Sequence, residues 1–222
     1  DLASLHMGKG PRLISICLIG FLSGCASYQV SGQFQSGRRA LLVNDPQAAL
    51  PYFLAVADSD PNFVYRSMYY SEGIWTYVGR TQYATGKFAE ARQSLERAFS
   101  LDKEDNLARL YLGLTLSRMG DNSRGLKEIE AGMRGLHDWL EYIERTRPSE
   151  GYWDPTREIR TAIEKDLDRI SAKDLNREQL IADAEWLGLK MESEIDKARQ
   201  DERRRYERDF DRRPGVGFGI GF

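Results

Sequence analysis

One stretch of the chain repeats itself. Residues 72–105, "EGIWTYVGRTQYATGKFAEARQSLERAFSLDKED", align with residues 106–139, "NLARLYLGLTLSRMGDNSRGLKEIEAGMRGLHDW", at an offset of 34 residues. Val78 pairs with Leu112, Gly79 with Gly113, Gly86 with Gly120, Ala91 with Gly125, Leu95 with Ile129 and Ala98 with Gly132. Large apolar positions stay apolar and small ones stay small. A period of this length belongs to a two-helix unit that cannot bury its apolar face alone and must stack on its neighbours. The small residues mark where the two antiparallel helices of a hairpin cross, with Gly79 and Ala91 as the expected contact. Gly86 and Gly120 fall in the turns, where positive φ is needed. Phe88, Leu95 and Leu101 are expected to pack into the next hairpin.

This pattern resembles the tetratricopeptide repeat, through Trp75, Gly79, Tyr83 (one place late), Gly86, Phe88, Ala91, Leu95 and Ala98. Lys103 stands where that family often has Pro. Residues 106–139 match more weakly, with Arg109 in place of the Trp and Gly125 in place of the Ala. A partial earlier copy supplies Ala49, Phe53 and Pro61, with "GRRALLV" as a short first helix. Extra residues follow Pro61, so the helix through "YRSMYYSEGIWTYVG" is expected to be unusually long. The resemblance covers residues 37–139 and implies a concave groove lined by first helices. Its positions map to Thr76, Arg80, Tyr83, Leu110, Leu114 and Arg118. Taken singly, Tyr83 and Leu110 also read as core and the arginines as solvated.

The N-terminal segment sets a second constraint. Met7 is expected to be the true start. From there Lys9 and Arg12 precede the apolar run "LISICLIGFL", residues 13–22, and then "SGC". That run is too short for a bilayer, which takes about 20 residues. A basic start, a short apolar core and small residues at its end describe a secretory signal. "LSGC" resembles the lipobox of bacterial lipoproteins, in which Leu22 matches the apolar position, Ser23 and Gly24 the small ones, and Cys25 the lipid-modified cysteine. The resemblance implies cleavage before Cys25 and acylation of its thiol, palmitate included. Each buried methylene contributes about 0.8 kcal/mol, and two or more chains anchor firmly. Ala26, rather than Asp, follows the cysteine, which by the same resemblance favours the outer membrane, facing the periplasm. "ASYQVSGQFQSG" reads as a polar tether.

Past the repeats, Leu136, Trp139, Leu140 and Ile143 share one helix face, and His137 falls off it as a solvated residue. "RTRPSEGYWDP" reads as a loop, with Asp154 as N-cap and Pro155 at the first helical position. Ile159, Ile163, Leu167 and Ile170 follow at helical spacing. Asn176 and Gln179 resemble a capping box opening a long helix whose stripe is Leu180, Ala184, Leu187, Met191, Ile195 and Ala198. Only Gly188 interrupts it before about Arg212. Its second half, "KARQDERRRYERDFDRR", is densely charged with both signs, so the arginines make no case for nucleic acid or acidic lipid. The tail "PGVGFGIGF" alternates glycine with Val216, Phe218, Ile220 and Phe222. As a strand it would present four apolar side chains on one face, which suits adding to a partner's sheet edge.

The expected fold class is therefore all-α. A signal peptide (1–24) and tether (25–36) precede a tetratricopeptide-type helical-hairpin solenoid (37–139). A C-terminal helical extension (140–213) and a Gly-rich tail (214–222) follow it. Cys17 and Cys25 are the only cysteines, and His6 and His137 the only histidines. So little sulfur and imidazole gives no expectation of a metal site, cofactor or catalytic triad. A charged fraction of 30% at a net charge of -2 suits a helical protein with much exposed surface. The leading functional expectation is a non-enzymatic, lipid-anchored adaptor of the bacterial cell envelope, bound to the membrane through Cys25. It would hold an envelope protein or peptide, with no nucleic acid and no small-molecule substrate. The alternatives are a self-assembling structural lipoprotein and a cell-wall polysaccharide enzyme. The enzyme would use carboxylates such as Glu141, Glu144 or Asp154 beside Trp139, Tyr152 and Trp153.

Overall fold

The computed structural model describes residues 29–67, 69–146, 153–173 and 175–211. The lipobox (Leu22, Ser23, Gly24, Cys25), Tyr152 and the tail residues Val216, Phe218, Ile220 and Phe222 lie outside these. Helix α1 covers residues 29–42 and α2 Pro46–Ser59. A two-stranded hairpin, β1 (Val64–Ser67) and β2 (Tyr70–Gly73), leads into α3 (Ile74–Ala84), α4 (Phe88–Leu101), α5 (Asn106–Arg118) and α6 (Asn122–Thr146). Helices α7 (Glu158–Ser171) and α8 (Arg177–Asp211) complete the described chain. The fold is all-α, a stack of helical hairpins with a helical extension.

Local chemistry explains the boundaries. Asp45 accepts from Ala48 N at 3.0 Å and Pro46 opens α2. Asp105 does the same for α5, accepting from Ala108 N at 2.8 Å. The α3–α4 and α5–α6 turns place Gly86 at φ 76 and Gly120 at φ 90, a left-handed geometry that only glycine adopts freely. Close helix approach does the rest. A Cβ on Gly79 would lie 2.5 Å from Leu95 Cγ, and one on Gly113 would lie 2.5 Å from Ile129 N. Gly79 therefore meets Leu95, one turn beyond the expected Ala91.

Three further features of the first half of the chain depart from the sequence expectation. Val64–Ser67 and Tyr70–Gly73 pair as antiparallel strands, with Tyr65 opposite Glu72 and Ser67 opposite Tyr70, instead of a lengthened helix. Its alternate residues Tyr65 and Ser67 turn inward. Helix α1 already includes residues 29–36, read as tether, because Phe34 sits in an aromatic cluster with Phe53, Phe63, Tyr65 and Tyr77. Leu101, expected in the core, is 60% exposed at the end of α4.

The extension is also built on specific contacts. Asp154 does not sit at the N-cap position, which Arg157 occupies with φ 56. Its buried carboxylate caps α7 from upstream, accepting from Ile159 N at 2.9 Å and Arg160 N at 3.0 Å. Trp153 packs against Trp139 and Tyr70. Asn176 Oδ1 accepts from Gln179 N at 3.1 Å, so the expected cap opens α8. All six residues of its stripe are buried. Helix α8 has 35 residues, about 52 Å. It runs antiparallel to α1: Glu192 meets Arg38, and seven residues on Arg199 meets Gln35, three residues earlier in α1.

Candidate partner groove

The six residues assigned to the groove divide into two sets. Thr76, Leu110 and Leu114 are completely buried within the hairpin stack. Thr76 donates to Asp105 Oδ2 at 2.5 Å, tying α3 to the start of α5. Arg80, Tyr83 and Arg118 do line a common face, and that face is covered by the chain's own α8.

The contacts form a short code along α8. Glu185 accepts from both Tyr83 and Arg118, the latter at 2.8 Å. Arg118 also donates to Tyr83 Oη at 3.2 Å. At Gly188 the helix passes so close to Tyr111 that a Cβ would lie 2.2 Å from its hydroxyl. Arg80 donates weakly to the Gly188 carbonyl at 3.4 Å. Glu192 then sits between two arginines. Its Oε1 accepts from Arg38 at 2.7 and 2.8 Å, and its Oε2 from Arg80 at 3.3 Å. Arg80 closes the chain by donating to Glu72 Oε1 at 2.6 Å.

This cluster is almost dry. Arg38 is 1% exposed, Glu72 1%, Glu192 3% and Arg80 4%. Two cations and two anions balance in charge. Burial opposes the charge on Arg38, but Glu192, Tyr77 and Tyr65 together outweigh it and hold the guanidinium above its ordinary value. Burial also pushes the Glu72 carboxyl up to about 7, with Arg80 opposing the rise. Burial and the bond to Glu185 raise Tyr83. Glu72 Oε2, Arg80 Nε and Tyr77 Oη make no hydrogen bond among the described residues. Replacing such a buried ionic cluster with well-packed apolar side chains is often neutral or stabilising by about 1–4 kcal/mol.

Sequence reasoning missed Arg38, Glu72, Tyr111 and the code on α8. Gly188 was the available signal, since glycine inside a helix is unfavourable by about 1 kcal/mol and needs a packing reason. Arg80, read singly as solvated, is buried. Arg118 remains partly exposed.

The carboxylates named for an enzyme are engaged elsewhere. Glu141 and Glu144 pair with Arg157 at 2.7 and 2.9 Å, and both also contact Arg160. Asp154 caps α7. All three carboxylates reach Arg160, so they gather around one guanidinium. His137 is held by Glu164 at 3.0 Å. A cleft of about 610 Å³ between α7 and α8 is lined by Lys165, Asp166, Asp183 and Trp186 among others. Arg169 bridges the two aspartates at 3.3 and 3.6 Å. Burial and Asp183 raise the Asp166 carboxyl to about 6. Among the described residues, no group of three or more His, Cys, Asp or Glu is placed to hold a metal, and no helix is long and apolar enough to cross a membrane. No protein-family model, no curated protein and no solved structure matches this chain.

Proposed function

We propose that the protein is a non-enzymatic adaptor of the tetratricopeptide-repeat type, anchored to the bacterial cell envelope by an acylated Cys25 and facing the periplasm from the outer membrane. It holds an envelope protein or peptide against its helical hairpins. The observation that carries this reading is the ionic grip of Arg38, Arg80, Tyr83 and Arg118 on a helix: a surface that holds α8 by named polar contacts is built to recognise helices. The basic, apolar and "LSGC" segments in order support the anchor.

The test pairs lipid labelling with in-cell crosslinking. An alkyne-palmitate probe is fed to cells expressing the full chain with a photo-crosslinking residue at Leu189, which is 55% exposed. The wild-type chain is expected to take the label and to crosslink one envelope protein, and Cys25→Ala is expected to lose the label. An unlabelled wild-type chain sinks the anchor. Crosslinks only between copies of the chain favour the self-assembling alternative, which the 72% exposed Tyr206 on the outer part of α8 suits.

A further inference from the structure

Helix α8 meets the hairpin stack through two kinds of contact. Its apolar stripe would pack against many surfaces. The row Glu185, Gly188 and Glu192 fits only one. These residues are spaced i, i+3 and i+7, so they share a helix face. Each is read by a separate group: Glu185 by Tyr83 and Arg118, Gly188 by the Tyr111 hydroxyl, and Glu192 by Arg38 and Arg80.

Three observations indicate recognition beyond the packing of a terminal helix. The readers come from three helices (α1, α3, and the middle and C-terminal end of α5), and all converge on one strip of α8. The ionic cluster is incompletely satisfied, since Arg80 Nε and Glu72 Oε2 are buried without partners among the described residues. A half-satisfied buried network is worse for stability than an apolar filling, but it discriminates strongly between occupants. Beside it, a pocket of about 280 Å³ bounded by Leu41, Leu42, Arg80 and Leu189 stays open along the edge of α8. Leu42 and Leu189 are 41% and 55% exposed there, so apolar surface remains next to the seated helix.

Resting on the adaptor reading, we infer that this cleft is a reader of amphipathic helices carrying Glu, Gly and Glu at i, i+3 and i+7. Helix α8 is its resident occupant, and a partner helix of the same pattern displaces it. The partner's chemistry follows from the readers. Two acidic residues must face three arginines, a glycine must pass under Tyr111, and an apolar stripe must replace that of α8.

Tethering gives α8 a high effective concentration, which masks competition in the wild-type chain. The probe is therefore a fluorescein-labelled peptide of residues 177–199, titrated by anisotropy against three full-length proteins: wild type, Glu192→Gln and Glu185→Ala. Glu185 lies at the partly exposed edge, so that variant keeps the buried cluster intact should Glu192→Gln fail to fold. The expected result is binding at least tenfold tighter to whichever folded variant is used than to wild type. The same peptide with Gly188→Leu should show no binding, and bound peptide should speed amide exchange in α8. Absence of binding to a folded variant overturns the proposal, as does equal binding of the Gly188→Leu peptide. Dimers of the variants that the peptide dissociates would make the occupant the α8 of a second copy and overturn a heterologous partner. Failure here leaves the palmitate label and the crosslinked partner unaffected, so it is distinguishable from failure of the adaptor reading.

Discussion

Single residues in this protein are tuned by what they are buried against. Asp166 is 4% exposed and shares Arg169 with Asp183. Burial first, and Asp183 second, raise its pKa from 3.8 to about 6. The folded state thus holds this proton more tightly than the unfolded chain does. Its contribution to stability is complete below about pH 4 and is lost as pH rises through about 6. Asp105, raised to about 6 by burial, and Glu72 act with the same sign. Asp166→Asn is expected to flatten part of this decline and to add roughly 1–2 kcal/mol at pH 7.5. Urea denaturation at pH 4.5 and 7.5 checks it, and a variant profile parallel to wild type would refute it.

At the scale of elements, the hairpins depend on close backbone approach. Gly113→Ala gains about 1 kcal/mol of helix propensity. The new methyl would meet Ile129 N at 2.5 Å and Gly125 O at 2.7 Å, both backbone atoms, so α6 must shift as a whole. Overpacking of that kind is destabilising by about 1–3 kcal/mol, which outweighs the propensity gain and leaves a net loss of up to roughly 2 kcal/mol. Gly32→Ala, at an exposed position of α1 with nothing within 4 Å, is expected to raise the midpoint instead. Urea midpoints that move in the same direction for both would contradict the close-approach account.

The elements legible in the sequence were those whose signal is local. The 34-residue offset marks α3 to α6 because each hairpin repeats its own small and large positions. The stripe of α8 is legible for the same reason. The β-hairpin was not, since its strands are four residues each and two inward residues per strand leave no readable alternation. The first turns of α1 were missed because Gln, Ser and Gly dominate them, and the rings packed on Phe34 come from α2, α3, Phe63 and the hairpin. The groove was half legible. Arg80, Tyr83 and Arg118 were identifiable from the repeat register, but their partners on α8 lie far along the chain, as Arg38 lies 154 residues from Glu192.

In the molecule as a whole, the antiparallel pairing of α1 with α8 brings the beginning and the end of the described chain to one pole. That geometry gives the protein a mechanical direction. A load between Ser31 and Arg208 prises the two helices apart from that pole, so the contacts give way in series, Arg199–Gln35 first and then Arg38–Glu192. A load between Ser31 and Glu178, at the opposite end of α8, slides the helices past each other and strains both contacts together. Single-molecule pulling with handles at these pairs should show stepwise low-force peeling in the first direction and one higher-force rupture in the second. Forced unfolding reads the barrier along the path that is pulled. Equal forces in the two directions would mean that some other contact bears the strain. Otherwise the same bonds hold or yield according to where a tug arrives, and the anchor proposed at Cys25 would deliver its tug from the side of that pole.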